Sequence, residues 1–333
     1  MARKTPVQIW GEYLAGRSVA AAVGVFDIDT NLRTAVWFGK LLHLLDAKHR
    51  DRCRQHIRIA YPDWSGAQVE KCVEGALVHL AQLAFETVQT PRALNDGNWT
   101  SRADLSNLAP ALEVMNAGRP CLLMTGHLGN WEVLGSLMAL LGYRFHPIAR
   151  PLDNPLLNDW VMGLREDRGL RIITKFDSSE EMMRVLRANG TLSFLADQNA
   201  GEKAIWVPWF GRLASTYKSI ALLAMRYRAP IVCGYAHRTG PKFHFEVGCD
   251  EVIHPEEWEG RGDAIYYITA RYTRAIENMV RRRPEQYFWM HRRWKTRPRW
   301  ERQGKPAPPA ARRLLEALGW LGEAEIERCL EPL

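Results

Sequence analysis

From about residue 104 to residue 283, strand-like apolar runs alternate with helix-like segments, and this alternation limits the fold more than any other feature of the chain. The strand candidates are PCLLMT (120–125), YRFHPIA (143–149), LRIIT (170–174), TLSFLA (191–196), PIVCGYA (230–236) and KFHFEVG (242–248). Helix candidates at 130–141, 155–168, 178–188 and 215–228 fall between most of them, and a longer one at 261–283 follows. A chain that keeps switching period in this way buries its strands between helices. The expectation is an α/β fold with a central, largely parallel or mixed sheet. The last two strands lie close enough to form a hairpin around HRTGPK.

The flanks read differently. Residues 32–50 have the spacing of an amphipathic helix, with Val36, Leu41, Leu44 and Leu45 on one face, Trp37 nearby, and Arg33, Lys40 and Lys48 adding charge. That face suits either packing on the core or contact with a membrane surface. Residues 60–86 open with turn residues and Ser65, a good N-cap, and continue as a long helix. GKPAPPA (304–310) reads as a Pro-rich linker, and 311–331 as one amphipathic helix. The expected organisation is a helical region over 1–100, an α/β domain over 101–303, and a linker with a C-terminal helix over 304–333. The apolar run VAAAVGVF (19–26) falls far short of the roughly 20 residues needed to span a bilayer. The expected location is therefore the cytosol or a membrane face.

The chain's net charge of +8 is concentrated. Residues 281–305 hold ten Lys or Arg against two acids, which leaves the remainder about neutral. A basic, aromatic-rich block predicts an anionic partner: phospholipid headgroups, an acidic carrier or nucleic acid. The six cysteines show neither a C-x-x-C pair nor metal-like spacing, and are expected to be free.

The chemistry-bearing stretch is CLLMTGHLGNWEVLG (121–135). The strand ends at Thr125, and the loop after the carboxyl end of a sheet strand is where α/β proteins place their sites. Gly126 and Gly129 flank His127 and permit close approach to the backbone, while Asn130 suits an N-cap. Residues five apart on one helix point about 140° apart. His127 and Glu132 can meet only with His127 in the loop and Glu132 in the first helical turn, an arrangement this sequence permits. A carboxylate on one imidazole nitrogen would fix the tautomer and make the other nitrogen a better base. The H-x-x-x-x-E spacing is weak by itself. A His and a Glu at a loop–helix junction, one of them capping, is the plain alternative. G-x-S-x-G, H-E-x-x-H, Walker A and G-x-G-x-x-G patterns are missing from the chain.

Several segments in order resemble one family. HIRIAYPDWSGAQVEKCV, GHLGNWE, IARPLDNPLLNDWVMGLREDRGLRII, LADQNAGEKAIWVPWFGRLASTYKSIALLA and PEQYFWMHRRWKTRP are similar to the successive blocks of the bacterial lipid A biosynthesis acyltransferases, the late acyltransferases. More distant likeness extends to phosphatidylinositol mannoside acyltransferases and glycerolipid acyltransferases. The resemblance implies a glycerolipid-acyltransferase-like fold and transfer of a fatty acyl chain from acyl carrier protein or coenzyme A to a lipid hydroxyl. It implies no metal, no cofactor and no acyl-enzyme. His127 would be the general base and Glu132 its partner. Gly126, Asn130, Arg150, Arg165, Asp197, Gln198, His291, Arg292 and Arg293 would contact substrate. The partners would be the acyl donor, an anionic lipid acceptor and the cytoplasmic face of the inner membrane, with no nucleic acid. Many members begin with a hydrophobic anchor helix, which this chain does not display, so attachment would rest on amphipathic helices and the basic block. An acyltransferase of another glycolipid or lysophospholipid, a thioesterase, or a non-catalytic binder of anionic surfaces or nucleic acid remains as the alternative.

Overall fold

A computed structural model describes residues 4–167, 169–174 and 178–333. Four helices come first: α1 (Pro6–Val25), α2 (Ile28–Leu45), α3 (Ala47–Ala60) and α4 (Gly66–Ala93). Next come β1 (Ala103–Ser106), α5 (Ala109–Asn116), β2 (Cys121–Thr125), α6 (Trp131–Leu140), β3 (His146–Ala149), α7 (Pro155–Glu166), β4 (Ile173–Thr174), α8 (Ser178–Arg187) and β5 (Thr191–Leu195). The chain continues through β6 (Ile205–Trp209), β7 (Arg212–Thr216), α9 (Ser219–Tyr227), β8 (Ile231–Arg238), β9 (Phe245–Ile253), α10 (Ala264–Arg282), α11 (Arg299–Arg302), α12 (Pro309–Glu316) and α13 (Glu323–Leu330).

Seven strands form one sheet in the order β1-β9-β8-β2-β5-β3-β4. Every neighbouring pair is parallel except β8 with β9, the expected hairpin. All six expected strands are present. β1 and the β6–β7 hairpin were not expected: β1 is four residues of mixed polarity, and Pro208 interrupts the pattern of β6. The largest core cluster joins Leu122, Met124 and Leu192 of the sheet to Ile268, Ile276 and Met279 of α10. All six cysteines are buried and unpaired. The helix expected over 155–168 ends at Glu166, and residue 168 lies outside the described residues.

Two helical expectations are corrected. The segment 32–50 is divided at Asp46, which ends α2 and caps α3 by accepting from the His49 amide at 3.1 Å. The tail 311–331 forms two helices, with Gly319 and Gly322 between them. Ser65 does cap α4, in a reciprocal box with Gln68.

The face that α2 buries is Ile28, Asn31, Leu32, Ala35 and Gly39, not the leucine row. Gly39 carries the crossing with α4: a Cβ there would stand 2.3 Å from the Val78 Cα. The leucine row, Trp37 and Phe38 face outward, with Trp37 76%, Leu44 69% and Leu45 74% exposed. α1 is likewise apolar outward through Val7, Trp10 and Leu14, and it is tied to α7 because Asn154, the α7 N-cap, donates to the Ile9 carbonyl at 2.9 Å. Among the described residues, no helix is long and apolar enough to cross a membrane.

The α2–α4 crossing can be tested. Gly39→Val should lower stability by about 1–3 kcal/mol, the range of overpacking. Gly11→Ala, at an open position on α1, should leave the melting temperature unchanged or slightly raised. Thermal unfolding followed by circular dichroism distinguishes the two.

Candidate active site

The site lies at the carboxyl ends of β2 and β5, neighbours in the sheet. Thr125 and Leu195 are paired in register, so the residues two beyond each, His127 and Asp197, leave the sheet side by side. His127 Nδ1 meets Asp197 Oδ1 at 2.7 Å, and the His127 backbone N–H donates to Asp197 Oδ2 at 3.0 Å. A carboxylate only accepts, so Nδ1 carries the proton and Nε2 keeps its lone pair. Nε2 faces the Gln198 side-chain amide at 3.4 Å. Trp131 packs edge-on to the imidazole at 5.2 Å between ring centres, and Phe288 lies at 6.2 Å on another side.

The partner of the imidazole is therefore Asp197 rather than Glu132. Glu132 does sit in the first turn of α6, as expected, but it is turned to α7, where Arg165 Nε donates to its two carboxylate oxygens at 3.1 and 3.2 Å. Glu132 is 4% exposed. A buried carboxylate needs a cation or several donors, and the helix rotation presents it to the guanidinium.

Electrostatics follow this pairing. Burial opposes charge on Asp197, but the imidazole and the hydrogen bonds from His127 hold its carboxyl down to about 2. Burial likewise opposes charge on His127, yet the Asp197 carboxylate outweighs it and raises the imidazole above its ordinary value. Two other imidazoles supply the contrast. His79 and His237 are buried without a carboxylate partner, and burial pushes each down to about 3.

The remaining expected residues separate into two groups. Arg150, Arg165 and Gln198 line a cavity with His127. Its volume is about 510 Å³, within the roughly 300–1,000 Å³ of small-molecule sites. Beyond the polar mouth its walls are hydrocarbon, from Leu123 of β2, Leu134 and Met138 of α6, Phe145, Leu170 and Met115 of α5. Gly135 of α6 lines it too. The second group is structural. Asn130 is fully buried and caps α6 by accepting from the Val133 N–H at 2.9 Å. Gly126 permits close approach, but of protein: a Cβ there would stand 2.8 Å from Ile276 Cγ2 and 3.3 Å from the Asp197 carboxyl carbon. Arg293 is 1% exposed and pins the turn after Asp197, donating to the Gln198 carbonyl at 3.1 Å, the Ser215 carbonyl and the Thr216 hydroxyl. His291 accepts from the Asn199 N–H at 3.0 Å, and burial lowers it to about 4. Neither reaches the cavity. Arg292 alone of the three is exposed.

The basic block is thus far less cationic than its sequence. Arg281 is paired with Glu277, Arg282 with Asp250, Arg297 with Glu301 and Arg302 with Glu202. Sequence reasoning missed Trp131 and Phe288 at the imidazole, and it assigned Asp197 to substrate without pairing it to His127. The signal was in the strands: two adjacent parallel strands end two residues before a His and an Asp.

A histidine–carboxylate pair stands at the sheet edge and opens on a cavity with an apolar interior. Comparison with known sequences gives the family: residues 3–296 match the bacterial lipid A biosynthesis acyltransferase family, and the chain belongs to it. It is similar to a lipid A biosynthesis acyltransferase of Haemophilus influenzae, 21% identical over 80% of each chain. The lipid A biosynthesis myristoyltransferase of Escherichia coli is 23% identical over 86% of this chain and 88% of its own length. The palmitoleoyltransferase of the same organism is 25% identical over 74% and 78%.

The pairing of His127 with Asp197 sets an expected titration. By nuclear magnetic resonance, His127 in the wild type should titrate above 6.5, the unperturbed histidine value. In Asp197→Asn burial is left unopposed, and the same resonance should fall below 6.5. An unchanged midpoint in the variant would contradict the pairing.

Proposed function

We propose that the protein transfers a fatty acyl group from an acyl thioester to a hydroxyl of a lipid A precursor, with His127 as general base. The observation that carries this reading is the lone pair of His127 Nε2, presented at the mouth of a cavity whose interior is hydrocarbon. The acceptor hydroxyl takes the place beside Nε2. Its proton passes to Nε2 as its oxygen bonds to the thioester carbonyl carbon. The carbonyl becomes a tetrahedral oxyanion, for which the Gln198 amide offers a donor. Collapse breaks the carbon–sulfur bond, and the leaving thiolate takes the proton from Nε2. The products are an acyl ester and a free thiol. Asp197 stabilises the transient imidazolium and keeps Nδ1 protonated throughout.

The acyl chain fits the apolar walls, and Arg165, held by Glu132, borders the polar end. The donor is acyl carrier protein or coenzyme A. Both are anionic, and Arg292 and Lys295 stand exposed on the segment that follows Phe288. No resident cofactor enters this scheme.

The same reading places the protein on the cytoplasmic face of the inner membrane as a peripheral enzyme. Support comes from the outward rows of α1 and α2, where Trp10, Trp37, Leu44 and Leu45 are exposed together with Arg33 and Lys40, and with Lys48 at the start of α3. Apolar side chains flanked by cations suit the interface of an anionic bilayer.

The deciding assay offers acyl carrier protein and coenzyme A thioesters of several lengths with a panel of lipid hydroxyl acceptors, read by mass spectrometry. His127→Ala should reduce acyl-lipid formation by about 10²–10⁴-fold, the usual contribution of a general base. Gly135→Met, which fills the cavity, should shift the preference toward shorter chains. Free fatty acid formed without any acceptor would indicate a thioesterase instead.

Vesicle co-sedimentation tests the membrane reading. Burying a leucine gains about 1.5–3 kcal/mol. Leu44→Ser should therefore weaken binding to phosphatidylglycerol vesicles by about tenfold or more, without lowering the melting temperature.

A further inference from the structure

The loop that carries His127 is fixed from behind by a buried ion pair with no place in the scheme above. Glu86 of α4 is 0% exposed, and the Arg238 side chain at the end of β8 is 5% exposed. One Glu86 oxygen accepts from Arg238 Nη1. The other accepts from the Asn130 side-chain amide at 2.7 Å. This second bond settles which way the Asn130 amide points. With its NH₂ committed to Glu86, its oxygen is left for the Val133 N–H, and the cap of α6 is made.

The surrounding bonds form a closed frame. The Gly129 N–H donates to the Gln286 carbonyl at 2.9 Å, and the Gly129 carbonyl accepts from His79 Nε2 at 3.0 Å. The Asn130 N–H donates to the Ala236 carbonyl at 2.8 Å. The Gln286 side chain spans the Arg238 backbone, accepting from its N–H and donating to its carbonyl, both at 2.9 Å. Gly129 has φ +52°, and a Cβ there would stand 2.1 Å from the Ala236 oxygen, so the loop lies directly on β8. From Asn130 the connection to chemistry is short. Trp131 packs on the imidazole and Glu132 holds Arg165 at the cavity.

Buried ion pairs are seldom net stabilisers, and apolar replacements of similar volume are often neutral or better. What Glu86 supplies that an apolar group cannot is an acceptor of fixed direction for Asn130. We propose that Glu86 and Arg238 are positioning residues: through Asn130 they set the start of α6, and with it the placement of Trp131 and His127. This rests on the acyl-transfer reading for its kinetic consequence, but its structural consequence does not.

The test is the double variant Glu86→Leu with Arg238→Met, beside wild type. The melting temperature should stay within a few degrees of wild type. Amide exchange at Gly129, Asn130 and Val133 should accelerate at least tenfold, with α10 amides unchanged. In the transfer assay kcat should fall at least tenfold at unchanged donor KM, and the acid limb of the pH profile should move down as the His127–Asp197 pair loosens. Wild-type exchange at those amides, or a kcat loss explained wholly by lost stability, overturns the proposal. Should wild type itself show no turnover, the acyl-transfer reading fails while the exchange result still decides this one. If the double variant does not fold, Asn130→Asp replaces it. That change sets two carboxylates against each other and should lower kcat tenfold or more, and adding Glu86→Gln restores the bond with donor and acceptor exchanged. Recovery supports the positioning role, and its absence overturns it.

Discussion

A carboxylate removed from water must be given partners, and the site is arranged around that requirement at Asp197. It is 2% exposed and is met by both the imidazole and the backbone N–H of His127. The same contact fixes the tautomer, raises the basicity of the ring and holds the loop to the neighbouring strand. Arg293 and His291, drawn from the C-terminal segment, fasten the next residues so that Asp197 cannot turn away. Without this pairing the imidazole would behave as His79 and His237 do, displaced far below physiological pH by burial and neighbouring cations.

The architecture supplies the pair through register. β2 and β5 are adjacent and parallel, and they end level with one another. The apolar alternation that sends Leu122, Met124 and Leu192 into the core therefore also determines where His127 and Asp197 emerge. On the opposite face of the sheet, the residues turned toward α5 and α6 line the cavity. One pattern of burial thus serves the core, the cavity and the His127–Asp197 pair.

The sheet was largely legible in the sequence because its strands are apolar runs separated by helical periods. The β6–β7 hairpin was not, since Pro208 breaks the pattern, and β1 was too short and too polar to show. In the site, His127 and the loop–helix junction were legible from TGHLGN. Its partner was not, because Asp197 lies 70 residues away and a nearer acid, Glu132, satisfied the local spacing. His291 and Arg293 were expected to contact substrate, because sequence reports charge and not depth. Glu86 and Arg238 were invisible for the same reason, each being an ordinary polar residue until the fold closes over it. On α2 the leucine row suited either the core or a membrane surface, and only the fold shows that it faces outward while Ile28, Asn31, Leu32, Ala35 and Gly39 are buried.

Val78 and His79 of α4 are consecutive and look in different directions. Val78 receives Gly39 of α2, and His79 holds the Gly129 carbonyl behind the loop that carries His127. A helical turn is stiff, so a load applied to α2 is delivered to the rear of the site across a single peptide unit. The chain therefore has a short mechanical path between the outward rows of α2 and the loop that carries His127.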